Sequence, residues 1–212
     1  MTGETAPRVE HTVTAGTFSL DGGSWDVENN VWLVGNDTEC LLIDAPHTAE
    51  PILELIGERA VTAIVCTHAH DDHITVARRL SERLAVPAYL HPADEPLWQQ
   101  TYPDFDFVPL RDGETLPVAG IELTVLHTPG HAPGAVSLYA PAIGSVFTGD
   151  TLFAGGPGAT GRSYSDFGTI IASIRDRLFT LPLETVVRTG HGDSTTIGDE
   201  APYLDEWIAR GH

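Results

Sequence analysis

A chain of 212 residues, 42% apolar and 19% charged, is long enough to bury one sizeable core and has none of the polar or single-sign blocks of a disordered polypeptide. Its 30 acidic residues stand against 11 basic ones, all arginine, for a formal charge of -19. That surface repels phosphate backbones and anionic lipid headgroups, so neither nucleic acid nor a membrane is an expected partner.

The N-terminus, MTGETAPRVE, lacks a basic segment followed by an apolar one, and no run approaches the ~18 apolar residues of a membrane span. The expectation is a single cytoplasmic domain over residues 1–212, with the first eight or so residues loose. Cys40 and Cys66 each sit within an apolar segment (ECLLID, AIVCT) and read as small buried hydrophobes, in keeping with a reducing compartment.

Short β-branched and apolar runs predict strands at about 31–34, 39–43, 61–66, 86–90, 121–126, 135–139, 145–148 and 185–189. Helical patterns cover 49–58, with Pro51 in the first turn, then 74–84, 167–180 and 200–210. Strand block, helices, strand block and helices in that order predict an α/β fold of two face-to-face sheets with helices outside, a four-layer αββα sandwich.

Polar clusters fall just past the ends of strand runs: Asp44, His68, His127 to His131, Asp150 and His191. Ligands of open sheets bind beyond strand ends, so these loops can converge. The densest is Thr67-His68-Ala69-His70-Asp71-Asp72-His73, directly behind Ala63-Ile64-Val65-Cys66. Histidine and aspartate lose solvation when buried unless each finds a partner, and a bound cation supplies one. A loop turning from strand into helix can send His68 and His70 to one point and Asp72 with His73 to a neighbouring one, leaving His131, Asp150 and His191 to complete a two-cation site.

The motifs T-H-x-H-x-D-H, T-P-G-H, G-D-T-L-F and G-H-G, in this order across residues 67 to 193, make the chain resemble the metallo-β-lactamase superfamily, and within it the glyoxalase II-like hydrolases. The resemblance implies the same αββα fold, with His68, His70 and His131 on one metal, Asp72, His73 and His191 on the second, and Asp150 bridging. It gives Asp44 the support of a ligand histidine, or a bland capping role. His127 lies off the ligand pattern and is expected to support the loop; His11, His91 and His212 are expected at the surface.

Imidazole and carboxylate without thiolate suit Zn²⁺, the first expectation, and also Fe or Mn. Such cations make a nucleophile of water near neutral pH; oriented by Asp72, it would attack an ester-like carbonyl. No G-x-S-x-G elbow is present. A thiolate leaves without a strong general acid, so the expected substrate is a small-molecule thioester of a low-molecular-weight thiol.

Loop 154–166 offers Arg162 and Tyr164 as substrate anchors, similar to the basic residue and tyrosine that hold glutathione in glyoxalase II. Glyoxalase II proper carries a further C-terminal helical segment; here one helix precedes His212, so another thiol, such as mycothiol, is the expectation. The principal alternative is an iron-dependent persulfide dioxygenase using His68, His131 and Asp150, favoured by D-H-I-T at 72–75. A further alternative is a lactamase-like or lactone hydrolase, although true lactamases generally lack the bridging aspartate. Oligomeric state is not legible.

Overall fold

The computed structural model describes residues 5–211. Strands β1 (Arg8–Leu20) and β2 (Gly23–Gly35) form a long antiparallel hairpin with Leu20 paired to Gly23. The two-residue loop between them, Asp21-Gly22, has positive φ at both positions (53° and 77°), the conformation that Asp-Gly adopts most readily between twisted strands. β3 (Glu39–Ile43) follows antiparallel, then α1 (Ala49–Ile56) crosses to β4 (Ala60–Val65), parallel to β3. A single turn, α2 (Asp71–Ile74), and α3 (Ala77–Leu84) precede β5 (Ala88–Leu90); α4 (Glu95–Thr101) precedes β6 (Val108–Pro109). The first sheet runs β1-β2-β3-β4-β5-β6.

The second sheet begins as a meander, β7 (Thr115–Val118), β8 (Ile121–His127), β9 (Val136–Ala140) and β10 (Ser145–Gly149). A small ribbon, β11 (Leu152–Phe153) with β12 (Gly156–Pro157), leads to α5 (Phe167–Ser173), whose last turns widen over Ile174–Leu178. β13 (Val186–Thr189) returns parallel to β10, and β14 (Thr195–Thr196), α6 (Ile197–Glu200) and α7 (Leu204–Arg210) finish the chain, giving the order β14-β13-β10-β9-β8-β7.

Alternation along the strands explains the layering. In β2, β3 and β4, Val31, Leu33, Cys40, Leu42 and Ile64 face α1, α3 and α4, where Ile52, Leu80 and Trp98 are buried. Their neighbours Trp32, Val34, Leu41, Ile43, Ala63 and Val65 face the other way, onto Leu123, Val125, Leu138 and Phe147 of the second sheet. Val146 and Val187 carry the third interface, against Ile170, Ile174 and Trp207. Period-two alternation on sheets covered on both faces gives three apolar interfaces between four layers. This is the expected αββα sandwich.

Both cysteines are buried and free, and burial pushes the Cys40 thiol up to about 11. Among the described residues no helix is long and apolar enough to cross a membrane.

Several expectations need correction. The hairpin strand β1 and the helix α4 carry no prediction, and the strand begins at Arg8, within the stretch expected to be loose; residues 1–4 lie outside those described. The helix expected over 74–84 is two helices: Asp71 and Asp72 open the first, and Ala77 starts the second after a break at Val76. His91 is half-buried, stacked on His127 at 4.0 Å, with burial as the main force lowering its pKa to about 4. His11 is exposed as expected; His212 lies outside the described residues.

Candidate metal centre

Five strand ends deliver the polar residues to one rim. β3 ends before Asp44, β4 before Thr67 and His68, β8 at His127, β10 before Asp150, and β13 before Gly190 and His191. Their crossing is close: a side chain on Gly149 would stand 2.5 Å from Thr67 Oγ1, and Gly149 itself has φ of +48°. The turn α2 then carries Asp72 and His73, both buried, with the His73 ring 4.1 Å from that of His68.

The seven predicted ligands come together. His68 Nε2 and His131 Nε2 each lie 3.0 Å from His70 Nδ1, and the three ring planes stand at 82°, 85° and 86° to one another. Asp150 faces both halves of the cluster, 3.3 Å from His73 Nε2 and His191 Nε2 and 3.5 Å from His131 Nε2. Asp72 Oδ2 lies 3.4 Å from His191 Nε2 and 3.7 Å from His73 Nε2. Three triads meet within 4.8 Å: His68, His70 and His131; His68, His73 and Asp150; and Asp72, His73 and His191.

The outer nitrogens fix which way four of the rings face. Thr67 donates its hydroxyl proton to Asp44 Oδ2 (2.9 Å), so at His68 Nδ1, 3.2 Å away, the hydroxyl accepts. His73 Nδ1 donates to Asp44 Oδ2 (2.8 Å), His131 Nδ1 to the Ala159 carbonyl (2.8 Å) and His191 Nδ1 to the Glu28 carbonyl (2.7 Å). Each of these rings therefore turns its Nε2 inward, the arrangement that makes a neutral imidazole a metal ligand. Asp44, in the left-handed region at φ 62°, also accepts from Thr67 N (2.7 Å), which settles its role as support for His68 and His73.

The electrostatics call for positive charge in the carboxylate half. Burial pushes the His73 pKa down, but Asp150, Asp72 and Asp44 outweigh it and hold the ring well above its ordinary value. His191 is likewise opposed by burial yet raised to about 10, chiefly by Asp150. In the other half burial wins: His68 is held well down and His70 falls to about 3, both neutral. Asp72 Oδ1 and Asp150 Oδ1 are buried with no hydrogen-bond partner. Five imidazoles, two carboxylates, inward-facing ring nitrogens and orphaned carboxylate oxygens fit two divalent cations, and the donor types are those that Zn, Fe and Mn accept.

Other residues of the site carry weaker sequence signals. Asn29, fully buried in β2, donates to Asp72 Oδ2 (3.0 Å), and its carbonyl meets His47 Nε2 at 2.7 Å. Asn30 donates to the carbonyls of Thr189 and Gly192, anchoring the His191 loop. A pair of asparagines directly ahead of the apolar run Val31-Trp32-Leu33-Val34 is the signal that could have found them. His127 donates from Nε2 to the Pro133 carbonyl (2.9 Å), propping the loop that carries His131.

A cleft of about 220 Å3 opens over the centre, walled by Phe18, Leu20, Trp25 and Val27 of the hairpin. Arg162 faces it, its guanidinium 3.7 Å above the Trp25 ring, and Ser163 N donates to Asp21 Oδ2 (3.0 Å), tying this loop to the hairpin turn. Tyr164 is not brought to the cleft wall; it is 47% exposed, with φ of +70°.

Comparison with known proteins agrees with this fold. A family model described as the metallo-beta-lactamase superfamily matches residues 25–191. The "Probable metallo-hydrolase YqgX" of Bacillus subtilis is 34% identical over 199 residues, covering 84% of this chain and 93% of that protein. The "Hydroxyacylglutathione hydrolase GloC" of Haemophilus influenzae is 32% identical over 200 residues, 85% of this chain and 90% of the relative. Among solved structures, TTHA1623 in a di-iron-bound form superposes with a TM-score of 0.75 at 35% identity, covering 89% of this chain and 96% of that one.

Proposed function

The chain belongs to the metallo-β-lactamase superfamily, and from that premise we propose that it is a dinuclear metallo-hydrolase cleaving a small-molecule thioester. One observation carries the choice of substrate. Apart from the five candidate ligands that reach it, His70, Asp72, His131, Asp150 and His191, the cleft is lined by apolar side chains, two serines and Arg162, with no group among the described residues suited to protonate a poor leaving group near neutral pH. A thiolate departs without that proton.

Cations held by His68, His70 and His131, and by Asp72, His73 and His191 with Asp150 between, would supply Lewis acidity and a nucleophile from water at neutral pH. The chain's own groups do the rest. Asn29 fixes Asp72 Oδ2, leaving Oδ1 to orient the attacking water. Asp44 and the Glu28 and Ala159 carbonyls keep the imidazoles turned inward. Phe18, Leu20, Trp25 and Val27 exclude bulk water from one side. Arg162, steadied on Trp25, is the anchor for an anionic part of the thiol carrier, since no described carboxylate is hydrogen-bonded to it; Tyr164, exposed and outside the cleft lining, would meet only a larger carrier.

A persulfide dioxygenase reading needs only His68, His131 and Asp150 around one iron; the convergence of Asp72, His73 and His191 as a further set favours the two-metal reading. The test is a metal count on purified protein, followed by assays on a panel of acyl-thiol esters, a lactam, a lactone and a persulfide. Two metals with thioester turnover support the proposal; one iron with oxygen uptake overturns it.

A further inference from the structure

The first half of the centre draws its three nitrogens from two separate loops, His68 and His70 after β4 and His131 after β8, and a carboxylate outside the ligand set connects them. Asp94 is fully buried. Its Oδ2 accepts from the backbone N–H of Ala69 (2.8 Å), the residue between His68 and His70, and its Oδ1 accepts from the backbone N–H of Gly134, three residues past His131. We propose that Asp94 is a positioning residue, a splint that sets the separation of the two loops and so the convergence of His68, His70 and His131 on one cation. The inference rests on the two-cation reading above.

Three observations support a positioning role over a merely structural one. Asp94 occupies the N-cap position of α4, where aspartate ordinarily accepts from its own helix, yet it makes no such capping bond; the side chain is turned to the ligand loops. Its described hydrogen-bond partners are both uncharged backbone donors, and burial dominates its environment, raising its pKa to about 6. A buried carboxyl without a counter-charge is unfavourable by itself. Finally, a Cβ on Gly134 would stand 2.7 Å from Asp94 N and 2.8 Å from Asp94 Cγ, so the loop approaches closely enough to be held only because that position is glycine. Asp94 touches none of the supports of the other half, Asn29 at Asp72, the Glu28 carbonyl at His191 and Asp44 at His73, of which only Asp44 also reaches His68, through Thr67.

The test compares Asp94→Asn, Asp94→Ala and Gly134→Ala with the parent chain and with Glu200→Gln. Glu200 is a second buried carboxylate, bonded to Gly155 N and Thr195 Oγ1 and to neither of the loops that carry His68, His70 and His131. Each apo-protein is titrated with Co²⁺, reading the visible absorption of each bound equivalent, with circular dichroism and thermal unfolding of the apo form alongside. In the Asp94 and Gly134 variants, one Co²⁺ equivalent should weaken at least tenfold while the other stays within about threefold, and Glu200→Gln should leave both unchanged. If Asp94→Ala does not fold, Asp94→Asn and Gly134→Ala give the same reading. Two equivalents of parental affinity, or an equal weakening of both, would overturn the splint. A parent chain taking up fewer than two equivalents would instead overturn the two-cation reading, and the selectivity claimed here with it.

Discussion

Gly190→Ala tests the centre through sterics alone. Gly190 lies just ahead of His191, and its φ is not in the left-handed region, so alanine is allowed by the backbone. Its Cβ would stand 2.2 Å from Asp150 Oδ1 and 2.8 Å from His73 Cε1, whereas ordinary contact begins near 3.4 Å. The Asp150 carboxylate must therefore retreat by about 1 Å, several times the ~0.2 Å within which metal–ligand distances normally hold. Overpacking of this kind costs about 1–3 kcal/mol of stability, and a 1 Å misplacement at a reacting centre costs about 10²-fold in rate. Denaturant unfolding, elemental analysis and a thiol-release assay read the three effects together. The expected variant is folded, carries at most one metal and has lost about 99% of turnover by that factor. Two metals with parental affinity and unchanged turnover would refute the placement of Asp150 between the cations.

Further outcomes follow from neighbouring contacts. Asp44→Asn keeps a residue that tolerates positive φ but removes the carboxylate from His73 and Thr67; metal affinity measured against a chelator should fall about 10–100-fold, and an unchanged affinity would count against it. In metal-free protein, the raised pKa of His191, about 10, lends stability that is full below the unfolded value of about 6.5 and lost as pH rises through 10. The melting temperature of the apo form should therefore fall between pH 7 and 10 while cation affinity rises, because His191 must give up its proton to bind; a flat melting profile with pH-independent affinity would contradict this. Arg162→Met should raise KM about tenfold, the value of one charge-assisted hydrogen bond of ~1.5 kcal/mol, with kcat within about threefold; a loss confined to kcat would remove Arg162 from substrate binding.

Much of this architecture was legible in the chain itself. Polar clusters past apolar runs located the rim, because a buried strand end has no other use for Asp44, His68, Asp150 and His191. The seven predicted ligands do meet in the structure, from elements more than 100 residues apart in sequence. What escaped was tertiary. β1 reads as polar and Gly-containing because one of its faces is exposed, although Asp21-Gly22 is a strong hairpin signal. Asn29 and Asp94 look like ordinary polar residues of a strand and a helix start; only the packed molecule shows where their side chains turn. Arg162 and Tyr164 are close in sequence, yet the turn through Tyr164 in the left-handed region separates them, one to the cleft and one to solvent.

The most direct test of the centre is the metal content of the purified chain after removal and reloading with Zn²⁺, Fe²⁺ or Mn²⁺, measured beside Asp150→Ala. Two ions per parent chain, falling to one or none in the variant together with most thioester hydrolysis, is the expected result. A parent chain that takes up no ion, or a variant that keeps both ions and full activity, would contradict the claim that these seven side chains hold a cation pair.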